Sequence, residues 1–180
     1  MLQKSFLIII PLLLIIACSG GATETNKSLK VDLLTAVATA NIDMIKQHIT
    51  FGSDINALFV ETEDWKGAGA LHIAAISPTN AESVMKYKTV VELLLSGGAN
   101  IEIKARNPDE ATPLAWAVYF GKLEMVEFLV DRDANINAPD KNGYTPLDGA
   151  LASPFMGSEL NRSAIVNFLR NKEAKTRSDD

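Results

Sequence analysis

Ala111-Thr112-Pro113-Leu114-Ala115-Trp116-Ala117 and Gly143-Tyr144-Thr145-Pro146-Leu147 decide how this chain folds, because Thr-Pro-Leu returns with Leu114 and Leu147 33 residues apart. A fixed period of this length marks a chain built from stacked units, each too small to bury its own apolar face. Two more copies precede these. Leu33 to Leu71 is 38 residues and Leu71 to Leu114 is 43, so the early copies carry extra chain.

Alignment on the second-helix signal of each unit locates the excess. The signals are Ile45-Lys46-Gln47-His48-Ile49, Val91-Glu92-Leu93-Leu94-Leu95, Val126-Glu127-Phe128-Leu129-Val130 and Val166-Asn167-Phe168-Leu169-Arg170. Insertions of about five residues then fall around Leu58 to Thr62, about eight around Pro78 to Tyr87 and about two near Lys104 to Arg106. Connections tolerate insertion, so the period survives.

These segments, with Gly67-Ala68-Gly69-Ala70-Leu71-His72-Ile73-Ala74-Ala75 and the unit ends Gly52-Ser53-Asp54-Ile55-Asn56-Ala57, Gly98-Ala99-Asn100-Ile101 and Asp133-Ala134-Asn135-Ile136-Asn137-Ala138, resemble ankyrin repeats over residues 28 to 175. The resemblance implies an all-α fold, an ankyrin-repeat solenoid of about four helix-turn-helix units with short hairpin-like connections. The units fall at about 28–57, 64–103, 107–138 and 140–175. Leu71, His72, Thr112, Pro113, Leu114, Thr145, Pro146 and Leu147 are the structural motif. Thr112 and Thr145 suit N-caps, and the prolines after them suit a first helical position that needs no N–H. Ala74-Ala75 allows close helix approach, and the Val-x-x-Leu-Leu rows supply the apolar face of the second helix. Gly52 and Gly98 suit the left-handed residue that ends it, a place Asp133 takes in the third unit.

Departures from the pattern fall mostly at the ends. The second unit has Gly69-Ala70 for Thr-Pro, the fourth has Asp148 where the family usually places His, and the first lacks a Thr-Pro-Leu-His altogether. The first and last units are read as caps of the stack. The long insertion in the second unit is expected to extend its outer helix after Pro78-Thr79-Asn80, with Val84, Tyr87, Val91 and Leu94 at helical spacing.

The N-terminus is a different object. One cation, Lys4, precedes the apolar run Phe6 to Ala17, which ends Ile15-Ile16-Ala17-Cys18. This resembles a bacterial lipoprotein signal peptide over residues 1–17, cleaved before a cysteine that is acylated. A spanning helix is the competing reading, but the run is interrupted by Pro11 and falls short of the ~20 apolar residues a bilayer requires. Cys18 is the only cysteine, so no disulfide forms within the chain. Ser19 after it resembles lipoproteins sent to the outer membrane, with the domain facing the periplasm. Residues 18–27 form a lipidated, flexible tether that holds the domain about 15–18 Å from the membrane on average. Residues 176–180 form a charged tail.

Formal charge is −5, or −6 once Lys4 leaves with the leader. No basic stripe with interleaved aromatics is present, so nucleic acid is not an expected partner. Titratable residues offer poor material for catalysis. The two histidines, His48 and His72, occupy positions set by the repeat and have no metal-ligand spacing, and His72 reads as a packing or hydrogen-bonding residue. Carboxylates such as Glu124, Glu127, Asp131 and Asp133 fit a solvated face. Nucleophile elbow, phosphate loop and dinucleotide fingerprint are all missing. The expectation is a monomer without catalysis, cofactor or metal, touching membrane only through its N-terminal lipid.

Partners of ankyrin proteins usually engage hairpin tips and inner helices, so the resemblance implies a protein partner there. Candidate contact residues are Trp65, Lys66, Ile76, Tyr119, Phe120, Tyr144 and Phe59, with Pro108, Asp109, Lys141 and Asn142 at the tips. Local packing competes with contact at Trp65, Tyr119, Phe120 and Tyr144, while Phe59 can fold back over Trp65. Trp116 reads as packing between units. The leading expectation is a lipid-anchored envelope module that holds a protein across its concave face. A toxin-neutralising immunity protein, a stress-protection factor acting through a partner, and a hydrolase with a site in the inserted segments are the alternatives.

Overall fold

The computed structural model describes residues 33–59, 67–78 and 80–179, with only the backbone of Phe59. Cys18, Trp65, Lys66, Thr79, the leader, the tether and the side chain of Phe59 lie outside the described residues. Eight α-helices are present among the described residues. The first, α1, is described over 33–38. It is followed by α2 (Ile42–Thr50), α3 (Ala70–Ile76), α4 (Ala81–Ser96), α5 (Pro113–Tyr119), α6 (Leu123–Val130), α7 (Pro146–Ala152) and α8 (Glu159–Asn171). A two-residue antiparallel pair, β1 (Leu58–Phe59) with β2 (Ala68–Gly69), closes the first long connection.

The helices form two layers. In one, α3 packs on α5 and α5 on α7; in the other, α2, α4, α6 and α8 follow in order. The core runs between the layers as a continuous string that includes Leu33, Ile45, Leu71, Leu94, Leu114, Leu129, Leu147 and Leu169, all buried. Leu71, Leu114 and Leu147 therefore occupy matching environments, which makes this an all-α repeat solenoid. The expected long outer helix after Pro78 is the 16-residue α4. Its Tyr87 hydroxyl donates to the Ala38 carbonyl, tying the insertion back to the first unit.

One helix ending recurs at all four helices of the α2, α4, α6, α8 layer. Gly52, Gly98, Asp133 and Glu173 all take positive φ, at 71°, 91°, 63° and 62°. The following N–H groups of Ser53, Ala99, Ala134 and Ala174 bond back to the carbonyls of His48, Leu94, Leu129 and Leu169. This satisfies carbonyls that a helix end leaves open. After each of the first three turns comes a rung between units. Asn56 Oδ1 accepts the Asn100 N–H at 2.7 Å, Glu102 Oε1 the Asn135 N–H at 2.7 Å, and Asn137 Oδ1 the Lys175 N–H at 2.8 Å. The residues just after α8 thus carry the same rung that Asn100 and Asn135 carry in the units before them.

Candidate binding surface

The helix starts of the first layer vary around one scheme. Thr112 Oγ1 accepts the Ala115 N–H at 3.3 Å, a plain N-cap. In α7, Thr145 Oγ1 accepts the Asp148 N–H while Asp148 Oδ2 accepts the Thr145 N–H at 2.9 Å, a reciprocal capping box. In α3, Gly69 has no side chain to cap with, and His72 Nδ1 accepts the Gly69 N–H at 3.1 Å. Asp148 therefore fills the role at its position that His72 fills in the second unit.

His72 also reaches the next unit. With Nδ1 accepting, the proton sits on Nε2, which donates to the Ala111 carbonyl at 3.0 Å. The ring is fully buried (0 % exposed) and meets Trp116 edge-on at 4.9 Å. Burial lowers its pKa from 6.5 to about 4, against a smaller opposing effect of the Ala111 carbonyl. It is neutral and structural near pH 7. His48 is likewise buried, with Nδ1 3.0 Å from Ser53 Oγ.

Successive hairpin tips are joined by backbone. The Arg106 N–H donates to the Gly67 carbonyl at 2.8 Å and the Lys141 N–H to the Asp109 carbonyl at 2.8 Å. Lys141 Nζ also pairs with Glu110 Oε1 at 2.9 Å; the ammonium lowers the Glu110 pKa and the carboxylate raises that of Lys141. Between these tips and helices α5 and α7 lies a groove of ≈ 630 Å³. One wall carries Trp116, Tyr119 and Phe120, the tip side carries Asp109, Asp140 and Tyr144, and the small residues Ala115, Gly149 and Ala152 complete the lining.

The structure brings together six of the candidate contact residues: Tyr119 (39 % exposed), Tyr144 (51 % exposed), the half-buried Phe120, and Pro108, Asp109 and Asn142 at the tips all line this groove. Ile76 is a correction. It is only 8 % exposed, covered at the end of α3, so it offers almost no surface to a partner. Trp116, read as packing between units, does pack on His72 and also lines the groove.

Phe155 was missed. It is 56 % exposed and sits 5.4 Å from the Tyr119 ring and 5.9 Å from the Phe120 ring, extending the aromatic wall. It lies on the connection between α7 and α8, which the repeat pattern does not describe. Three side chains hold that connection down. Arg162 donates to the carbonyls of Ala150 at 2.7 Å and Ser153 at 2.6 Å, Asn161 Nδ2 to those of Gly121 at 2.8 Å and Met156 at 2.7 Å, and the Ser153 hydroxyl to that of Tyr119. An apolar run, Pro154-Phe155-Met156, inside a connection was the available signal.

Among the described residues no three His, Cys, Asp or Glu side chains converge as a metal site, and no helix is long and apolar enough to cross a membrane. Two helical layers with an open groove beside the hairpins define a repeat scaffold, a class that typically serves in protein interaction rather than catalysis. Residues 33–138 and 81–180 each match the family described as ankyrin repeats (3 copies), and the chain belongs to that family. It is similar to the neurogenic locus notch homolog protein 1 of Xenopus tropicalis, 28% identical over 189 residues covering 89% of this chain and 7% of that protein. An ankyrin repeat protein of fowlpox virus, FPV230, is 26% identical over 148 residues, 68% of this chain and 75% of the viral one. "Probable palmitoyltransferase AKR2" of Saccharomyces uvarum is 31% identical over 88 residues, 49% of this chain. The chain spans only 12% of that protein's length, so the similarity is confined to a small part of it.

Proposed function

We propose that this chain is a lipid-anchored module of the bacterial cell envelope that binds a protein partner in the groove between the hairpin tips and helices α5 and α7, without catalysis. The observation that carries the binding role is the groove itself. It gathers Trp116, Tyr119, Phe120 and Tyr144 on one open surface of a family whose fold serves protein interaction. Large rings that stay partly exposed in a rigid frame are the usual anchors of protein interfaces. The anchoring role rests on the sequence alone, on the apolar run that ends Ile15-Ile16-Ala17-Cys18.

Tyr119→Ala with Tyr144→Ala tests the binding role. Both rings are substantially exposed and neither hydroxyl makes a hydrogen bond among the described residues, so the double variant keeps its melting temperature within a few degrees. Capture of the cellular partner, read by co-purification, drops at least about tenfold. Undiminished capture refutes the groove as the site. Retention of fatty-acid labelling in Cys18→Ser refutes the anchor.

A further inference from the structure

We propose that the groove receives an arginine side chain from an extended segment of the protein partner, its guanidinium lying between the α5 rings and the carboxylates of the tip side. This rests on the groove being the partner site and specifies the chemistry of what enters it.

The lining holds three carboxylates, Asp109, Asp140 and Asp148, and four aromatic rings, but no lysine or arginine. The nearby cations are engaged elsewhere: Lys141 with Glu110, and Lys104 Nζ with the Pro139 carbonyl at 3.0 Å. The carboxylates retain unused capacity. Asp140 accepts the N–H groups of Asn142 and Tyr144 through Oδ1 alone, and Asp148 accepts those of Thr145 and Arg177 through Oδ2 alone. Among the described residues the second oxygen of each, and the whole Asp109 carboxylate, have no protein donor.

A purely apolar segment laid here would strip water from these oxygens and return nothing. A cation returns the charge interaction and gains the attraction of the ring faces. Arginine suits the site better than lysine because its flat fork can stack on a ring and donate to carboxylates at once. Beside the groove the molecule already stacks a guanidinium on a ring, there with a backbone carbonyl as the acceptor. The Arg177 guanidinium lies 4.9 Å from the Tyr144 ring centre while Nη1 donates to the Asn142 carbonyl at 3.1 Å. A segment fits better than a free small cation because the groove runs across two units and stands clear above Gly149, where an added Cβ would meet nothing within 4 Å.

The test uses the full chain and fluorescein-labelled nonapeptides of alanine and leucine with arginine, lysine, norleucine or glutamate at the centre, read by anisotropy. Expected is binding of the arginine peptide about tenfold tighter than the norleucine peptide, lysine between them and glutamate weakest. Asp109→Asn narrows the arginine preference about threefold, and Gly149→Leu, which fills the open space, abolishes binding. Norleucine binding as tightly as arginine overturns the inference and leaves a plain apolar groove, with the proposed function intact. Free arginine amide binding as tightly as the peptide overturns it in favour of a small-molecule site. Peptide binding that survives Gly149→Leu overturns both, because the site is then elsewhere.

Discussion

At the residue scale, His72 and Gly67 show how a motif position becomes a physical constraint. His72 holds its pKa near 4 when folded and near 6.5 when unfolded, so the unfolded chain takes up a proton first as pH falls. The stability it supports is complete above pH 6.5 and is lost as pH falls toward 4. Between pH 6.5 and 4.5 the wild type should lose about 2 kcal/mol more than His72→Gln, measured by urea unfolding. Parallel curves would mean that the ring is not buried neutral. Gly67 has φ of +72° and a Cβ there would lie 2.3 Å from the Arg106 carbonyl carbon; Gly52 has φ of +71° and open space around it. Gly52→Ala should therefore cost about 1 kcal/mol and Gly67→Ala about 3 kcal/mol, since only the second forces two hairpins apart. Equal losses would show that the tips are not in contact. The sequence marked both histidines as structural, but Gly67 looked like any other glycine, because its constraint comes from Arg106, 39 residues away.

At the scale of elements, legibility followed the period. The caps at Thr112 and Thr145, the turns at Gly52, Gly98 and Asp133, and the long α4 were readable because each is set by residues within a few positions of itself. The rungs through Asn56 and Asn137 lay inside repeat motifs and Glu102 one residue beyond one, yet their partners are in the next unit and show only in three dimensions. The connection between α7 and α8 was not legible, because its shape comes from Arg162 and Asn161 on the following helix. Arg162→Ala should leave the carbonyls of Ala150, Leu151 and Ser153 without their donor and cost about 2 kcal/mol. Hydrogen exchange should rise across 151–158 while α3 and α5 stay protected. Unchanged exchange in that segment would show that Phe155 is held by packing alone.

At the scale of the whole molecule, the two layers leave their surfaces unequal. The layer of α2, α4, α6 and α8 carries scattered exposed residues such as Met85, whereas the groove side gathers rings and carboxylates onto neighbouring units. The resemblance to ankyrin repeats pointed to Tyr119, Phe120 and Tyr144 on that side. It could not show that Ile76 is covered or that Phe155 joins the rings, since both depend on where a connection folds. The central claim is that a protein partner sits against these rings. A photo-crosslinking residue placed in living cells at Tyr119, at Tyr144 or at Met85 tests it most directly. The account predicts one shared adduct from the first two positions and none from Met85; an adduct from Met85 with none from Tyr119 or Tyr144 would contradict it.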